Sequence, residues 1–176
     1  MFLTGDIHVG KSTLINNYIK ENKDCFRIIS GFKTKEFLED GWLKGYYLED
    51  QLSPQKDYTL VGINKLFPKD KQCQGITEGF ETRGVEILNN ALYCQSDLVL
   101  MDELGFFEKE AIMFQQKVYK LLEGKTKVLG VIKKKSNPFL ESIKKREDVI
   151  IMEVTSDNRE EIPKRINKIW RDKHEE

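Results

Sequence analysis

The most informative stretch of the chain is Gly5-Asp6-Ile7-His8-Val9-Gly10-Lys11-Ser12. It matches glycine, four variable residues, then glycine-lysine-serine or threonine, which is the Walker A pattern of a phosphate-binding loop. Residues 1–4 before it are typical of a short buried strand, and residues 13–20 after it carry apolar side chains at helical spacing. The sequence therefore predicts a strand, a loop and a helix in the order that such a loop requires.

In that arrangement the backbone N–H groups of the loop and the helix N-terminus hold a polyphosphate. Lys11 is expected to reach the β and γ phosphates, and the Ser12 hydroxyl to bind Mg²⁺. His8 is expected to contribute its backbone N–H rather than its imidazole. The alternative is a glycine-punctuated turn with an exposed lysine, which the full motif match disfavours. The predicted nucleotide-binding residues here are Gly5, Asp6, Ile7, His8, Val9, Gly10, Lys11, Ser12 and Thr13.

Length and composition narrow the class of protein. A chain of 176 residues with 39% hydrophobic residues suits one domain spanning 1–176. The formal net charge is zero, so no global field attracts nucleic acid or an anionic membrane. No apolar run approaches the ~20 residues that span a bilayer. The three cysteines lack metal-ligand spacing and the N-terminus lacks a signal segment, so we expect a cytoplasmic protein with buried cysteines.

Apolar patterns predict the remaining elements. After the first helix, extended segments at 25–37, 42–48 and 58–63, with a turn at Asp40-Gly41, indicate an antiparallel extension of the sheet. From about residue 80, helices alternate with strands, and the strands are predicted at 98–101, 128–132 and 149–154. This alternation predicts a three-layer α/β fold with a mostly parallel central sheet.

An acidic pair, Asp102-Glu103, directly follows the apolar run 98–101. Ligands of doubly wound sheets bind outside the carboxyl ends of the strands, so this pair is expected to face the phosphate-binding loop. Asp102 is then the carboxylate that holds hydrated Mg²⁺ together with Ser12. Glu103 can orient or polarise a water aimed at the γ-phosphate, which favours hydrolysis. The predicted catalytic residues are therefore Lys11 and Glu103, and the predicted metal ligands are Ser12 and Asp102.

Other functions use the same loop. A small nucleotide or metabolite kinase needs an acceptor pocket and a lid, for which residues 75–84 are the only obvious candidate. A nucleotide-dependent switch module would use slow turnover to time a partner interaction. Hydrolysis of a nucleoside triphosphate such as ATP or GTP remains the favoured function, with Mg²⁺ as cofactor.

Cations for the transition state are harder to assign. Arg83 and Arg159 are the candidates for an arginine finger, although an exposed, solvated arginine is the more ordinary interpretation of Arg83. Arg159, after the last strand, is predicted to contact the base or a phosphate of the nucleotide; the alternative is a residue at a helix N-terminus that contacts nothing. The basic run 133–135 is interpreted as a solvated face rather than a nucleic-acid contact. Without a finger, turnover is expected to be slow.

The chain resembles the small cancer-related nucleoside-triphosphatase family of P-loop NTPases over nearly its whole length. The resemblance rests on 3–14, Gly31-Phe32 with Thr34 and Glu36, Gly45-Tyr46, Asp102-Glu103-Leu104-Gly105 with Glu108, Val154-Thr155 and Asn158-Arg159. It implies slow, Mg²⁺-dependent hydrolysis of nucleoside triphosphates with loose base preference. It also implies that a strand, here 128–132, lies between the two motif strands of a P-loop NTPase fold.

Two departures from the family pattern stand out. Ile7 and His8 replace a usual proline and glycine in the loop, which concerns its flexibility rather than phosphate binding. The family also has an arginine shortly after the Thr-x-Glu segment, where this chain has Phe37-Leu38. A cation from that neighbourhood would have to be Lys33 or Lys35.

Overall fold

A computed structural model describes residues 1–53 and 57–172, so the end of the predicted domain 1–176 lies outside the described residues. The strands are β1 (Phe2–Thr4), β2 (Ile29–Glu39), β3 (Trp42–Asp50), β4 (Leu60–Asn64), β5 (Cys73–Gly75), β6 (Leu98–Leu104), β7 (Lys127–Ile132) and β8 (Ile151–Glu153). The helices are α1 (Lys11–Glu21), α2 (Thr77–Gly79), α3 (Val85–Tyr93), α4 (Ile112–Glu123), α5 (Pro138–Lys144) and α6 (Ile162–Asp172). A π-helical turn, Phe80–Gly84, joins α2 to α3.

The strands form one eight-stranded sheet in the order β5-β4-β3-β2-β6-β7-β1-β8. From β2 to β8 every neighbouring pair is parallel, whereas β3, β4 and β5 extend the sheet through antiparallel pairs. β7 lies between β1 and β6, as the family resemblance implied. The loops that follow β1, β6 and β7 therefore leave the sheet at one edge.

Helices cover both faces of the sheet, which confirms the three-layer α/β prediction. One hydrophobic core contains side chains of α1, α6 and one face of the parallel strands, among them Leu14, Ile15, Leu98, Leu100, Ile162 and Ile166. The other contains side chains of α3, α4, α5 and the opposite face, among them Ile87, Leu88, Val99, Met101, Phe114 and Leu140. Of the helices in residues 1–53 and 57–172, none has the length and apolar character that crossing a membrane requires.

Several local predictions differ from the structure. Residues 25–28 precede β2 rather than belonging to it, and the Asp97 carboxylate accepts hydrogen bonds from the N–H groups of Arg27 and Ile28 there. The short β5 was not predicted, because its sequence is polar and carries no strand pattern. The cysteines are not buried: Cys25 is exposed, and Cys73 and Cys94 are partly exposed. The buried-cysteine prediction was therefore wrong.

Candidate active site

The loop Gly5–Ser12 connects β1 to α1, as predicted. Gly5 has a φ of 145°, and a Cβ there would lie 2.5 Å from the Val154 carbonyl oxygen, so only glycine fits. Gly10 has a φ of 85°, and α1 begins at the next residue, Lys11. The tight return of the chain places the first N–H groups of α1 at the loop, where a phosphate can accept their hydrogen bonds.

Lys11 is folded back on this loop. Its ammonium donates hydrogen bonds to the Gly5 carbonyl at 3.1 Å and to the Asp6 carbonyl at 2.7 Å. Desolvation is the main cause that lowers the pKa of Lys11, against the opposing attraction of Glu103, Asp102 and Asp6. The Lys11 ammonium is thus within electrostatic range of the acidic pair predicted to complete the site.

The side chains of the loop are mostly directed outward. Asp6, Ile7 and His8 are exposed, and so is Thr13 in the first turn of α1. His8 has a φ of 66°, a left-handed backbone conformation, so its contribution is one of backbone shape. These predicted binding residues therefore shape the phosphate-binding loop chiefly through their main chain.

Ser12 and Asp102 meet as predicted. The Ser12 hydroxyl donates a hydrogen bond of 2.9 Å to Asp102 Oδ1, although the two residues lie 90 positions apart. Asp102 is buried near the end of β6, and desolvation raises the pKa of its carboxyl, an effect that the Ser12 hydrogen bond opposes.

This pair fits one side of a Mg²⁺ site. A hydroxyl and a carboxylate are hard oxygen ligands, and Mg²⁺ keeps several waters and binds substrate phosphates in its remaining positions. A buried carboxylate whose charge is destabilised also gains from a nearby cation. In residues 1–53 and 57–172 no group of three or more His, Cys, Asp or Glu side chains is placed to hold a metal ion. Nucleotide and water would therefore have to complete the coordination.

Glu103 follows Asp102 within β6 and points to a different neighbour. Its backbone N–H donates to the Thr34 hydroxyl at 3.3 Å, and its carboxylate lies 3.0 Å from the Lys133 ammonium. Both Glu103 and Lys133 line a cavity of about 80 Å³ that also touches Thr34 and Glu108. Such a cavity has room for water beside the Glu103 carboxylate.

Lys133 and Lys134 were interpreted as part of a solvated face; Lys134 is exposed and Lys133 is partly exposed, and the structure adds that both form ion pairs at the site. Lys133 pairs with Glu103, whereas Lys134 lies 2.9 Å from Asp6 of the loop and 2.6 Å from Glu153 at the end of β8. The sequence did contain a signal, because both lysines directly follow the strand assigned between the two motif strands.

Glu108 is a buried residue for which sequence reasoning offered only the family resemblance. Its carboxylate accepts a hydrogen bond from the Gly105 N–H, and Asn137 donates to the Gly105 carbonyl at 3.0 Å. Gln115 donates to the Glu108 carbonyl at 2.9 Å. Burial raises the pKa of Glu108 to about 7. These contacts fix the segment after the acidic pair against α4 and α5.

The two arginine candidates lie in different environments. The Arg159 guanidinium packs against the loop, with its Cζ 3.0 Å from where a Cβ on Gly10 would be. Asn158 holds the preceding turn through a 2.9 Å hydrogen bond from the Thr155 N–H. Arg83, by contrast, is only 10% exposed rather than solvated, and it is surrounded by carboxylates. The structure thus brings Arg159, and not Arg83, to the phosphate-binding loop.

Comparison with known proteins agrees with this geometry. The family model described as NTPase matches residues 1–167. The chain belongs to this nucleoside-triphosphatase family. Nucleoside-triphosphatase THEP1 of Thermotoga sp. (strain RQ2) is 32% identical over 165 residues, covering 90% of this chain and 88% of that protein. The human cancer-related nucleoside-triphosphatase is 30% identical over 172 residues, covering 90% of each chain.

Solved structures of the family share the fold. The crystal structure of THEP1 from the hyperthermophile Aquifex aeolicus superposes with a TM-score of 0.72 at 20% identity, covering 94% of this chain and 95% of that one. The solution structure of a human cancer-related nucleoside triphosphatase gives a TM-score of 0.70 at 28% identity, covering 96% and 95%. The predicted family and the P-loop NTPase fold, with its mostly parallel sheet and antiparallel extension, are confirmed.

Proposed function

We propose that this chain is a slow, Mg²⁺-dependent nucleoside-triphosphate phosphohydrolase with loose base preference, which converts a nucleoside triphosphate to the diphosphate and phosphate. The observation that carries the proposal is the 2.9 Å hydrogen bond between Ser12 and Asp102, with Glu103 next in the chain. Relatives named nucleoside-triphosphatases support the reaction class.

Binding would use the loop and its neighbours. The backbone N–H groups of Gly5–Ser12 cradle the phosphates, and Lys11 exchanges its two carbonyl partners for β and γ phosphate oxygens. Ser12 and Asp102 would bind the Mg²⁺ that accompanies the nucleotide. Mg²⁺ held by these two residues would neutralise the negative charge that develops on the phosphates. Arg159, against Gly10, adds a planar cation at the rim of the loop.

Hydrolysis would depend on Glu103. Its carboxylate takes a proton from a water as the water oxygen forms a bond to the γ-phosphorus. The bond from that phosphorus to the β–γ bridging oxygen breaks, and the electron pair leaves with the diphosphate. The cavity lined by Glu103 and Thr34 supplies room for the water. Arg83 pairs with Asp50, Asp57 and Glu86. It therefore supplies no positive charge to the transition state, and turnover is slow.

The test is phosphate release by a Glu103→Gln variant with Mg²⁺ and each of ATP, GTP, CTP and UTP. The amide keeps the shape of the side chain but cannot accept the proton, so kcat should fall by about 10²- to 10⁴-fold while binding persists. Glu110→Gln, an exposed acid on the loop after β6, is the matched control and should keep the full rate. Full activity of the Glu103 variant would show that the proposed base is wrong.

A cytoplasmic location is also proposed. The three cysteines are free thiols, and thiols of this kind persist in a reducing compartment.

A further inference from the structure

The active-site edge of the sheet carries a cation that the predicted mechanism does not use. Lys133 directly follows β7, the strand between β1, which leads into the phosphate-binding loop, and β6, which ends at the acidic pair. Its ammonium lies 3.0 Å from Glu103 Oε1. A carboxylate that activates the attacking water lies within about 3 Å of that water, so a cation paired with this carboxylate lies in the immediate surroundings of the reacting groups.

The backbone of Lys133 is held in place, and the end of its side chain is partly exposed. Its backbone N–H donates to the Leu104 carbonyl at 3.0 Å, and its Cδ lies 3.0 Å from where a Cβ on Gly105 would be. Its ammonium lies 5.7 Å from the centre of the Phe107 ring. The side chain is nevertheless 41% exposed, so its ion pair with Glu103 can exchange for another anion.

Apart from Lys11, which the proposed function already assigns to the β and γ phosphates, the remaining candidate cations are less well placed for the γ-phosphate. Arg83 contacts Asp50, Asp57 and Glu86, and Arg159 packs on Gly10. Lys33 lies on β2 in register with Asp102, one strand farther than Asp102 from the strand of the phosphate-binding loop. Lys134, the neighbour of Lys133, is bound between Asp6 and Glu153.

We infer that Lys133 is a catalytic residue that supplies the transition-state cation from within the chain. This inference rests on the proposed function. Without nucleotide the Lys133 ammonium pairs with the Glu103 carboxylate. When the triphosphate binds, the ammonium moves to a γ-phosphate oxygen, and the Glu103 carboxylate becomes available to the attacking water. A single ammonium contacts phosphate less extensively than the planar fork of an arginine, which is consistent with the slow turnover proposed above.

The first test compares Lys133→Met with Lys135→Met, which removes the same charge from an exposed neighbour. We expect kcat to fall by about 10²-fold or more in the Lys133 variant, since removal of one donor to the transition-state charge typically costs that much. Lys133→Arg, which keeps the charge, should retain most of the activity, and urea unfolding of Lys133→Met shows whether loss of folding contributes. Equal kcat values for Lys133→Met and Lys135→Met would overturn the inference.

The second test separates contact with phosphate from an effect through Glu103. In a Glu103→Gln background, where Lys133 has no carboxylate partner, the affinities for Mg·ATP and Mg·ADP are measured with and without Lys133→Met. The ratio of the two affinities should fall by roughly 10-fold on loss of the ammonium, because only ATP offers a γ-phosphate. An unchanged ratio would mean that Lys133 acts only by positioning Glu103.

These readouts also distinguish failure of the inference from failure of the proposed function. If the wild-type chain released no phosphate, the proposed hydrolysis would be wrong, yet the ratio of ATP to ADP affinity would still report whether Lys133 contacts the γ-phosphate. If the wild type hydrolysed ATP and the ratio did not change, only the assignment of Lys133 would be lost.

Discussion

The two halves of the sheet neutralise buried carboxylates in different ways. In the antiparallel extension, Asp50 is 1% exposed and lies 3.6 Å from the Arg83 guanidinium. At the end of the parallel half, Asp102 and Glu108 are 6% and 2% exposed, yet they accept hydrogen bonds from neutral donors, the Ser12 hydroxyl and the Gly105 N–H. Burial raises the pKa of both of these carboxyls.

This difference distinguishes a structural ion pair from a site prepared for a ligand. A carboxylate beside arginine has its counter-charge already, so the cluster around Arg83 gains little from an added cation. A carboxylate buried with neutral partners keeps the desolvation penalty on its charge, which a bound metal ion or a proton can remove. By this argument Asp102 is suited to a metal and Glu108 to a proton, whereas Asp50 serves the stability of the fold.

The largest effect is expected from Arg83→Met, which leaves Asp50 buried without its cation. Breaking a buried pair on one side typically costs about 3–5 kcal/mol, and urea unfolding should show a loss of that size in the free energy of unfolding. Activity per folded molecule should be unchanged. Adding Asp50→Asn should recover part of the lost stability, because the unpaired charge is removed. A large fall in kcat with little loss of stability would instead make Arg83 a catalytic cation.

A somewhat smaller effect is expected from Glu108→Gln, and it depends on pH. Burial raises the pKa of Glu108 to about 7 from an ordinary 4.5. The contribution of protonated Glu108 to the free energy of unfolding is therefore complete below pH 4.5 and is lost as pH rises to about 7. The slope approaches about 1.4 kcal/mol per pH unit, or roughly 3 kcal/mol over this window. The glutamine keeps the acceptor for the Gly105 N–H, so the variant should be the more stable protein at pH 8.

The measurement is urea unfolding of both proteins between pH 4.5 and 8. Glu110→Gln provides a control on the same loop and should follow the wild-type curve. Parallel curves for the wild type and Glu108→Gln would mean that Glu108 is not protonated in the folded protein near neutrality, and the contrast with Asp50 would disappear.

The smallest effect is expected from Ser12→Ala, which removes the neutral partner of Asp102. If Ser12 is a metal ligand, the Mg²⁺ concentration for half-maximal activity should rise by about 10-fold or more. Ser12→Thr keeps the hydroxyl and should behave like the wild type, and EDTA should abolish activity in all three proteins. Identical Mg²⁺ titrations for the alanine and threonine variants would remove Ser12 from the metal site.

Much of the placement of the candidate site residues could be predicted because the motifs are contiguous. The loop Gly5–Ser12 could be recognised because its glycines occupy positions where the backbone conformation requires glycine, and because Lys11 begins α1. Asp102 and Glu103 were found because they end an apolar run long enough to be a buried strand. The proximity of this acidic pair to the phosphate-binding loop was also predicted, because the carboxyl ends of parallel strands lie at the same edge of a sheet.

Pairings between distant segments could not be predicted in this way. A lysine after a strand looks the same in sequence whether it is solvated, like Lys135, or paired with the Glu103 carboxylate, like Lys133. The difference depends on the register of β6 against β7 and on the course of the loop around Gly105. Burial of Arg83 and Glu108 likewise depends on packing that no local pattern records.

The sequence by itself therefore determined the fold class, the phosphate-binding loop and the two acids, because local periodicity and backbone requirements are properties of short segments. Only the tertiary structure decided which cation accompanies which acid. Ion pairs are set by distances of a few ångströms between residues far apart in the chain, and the Glu103–Lys133 contact exists only once β6 and β7 lie side by side.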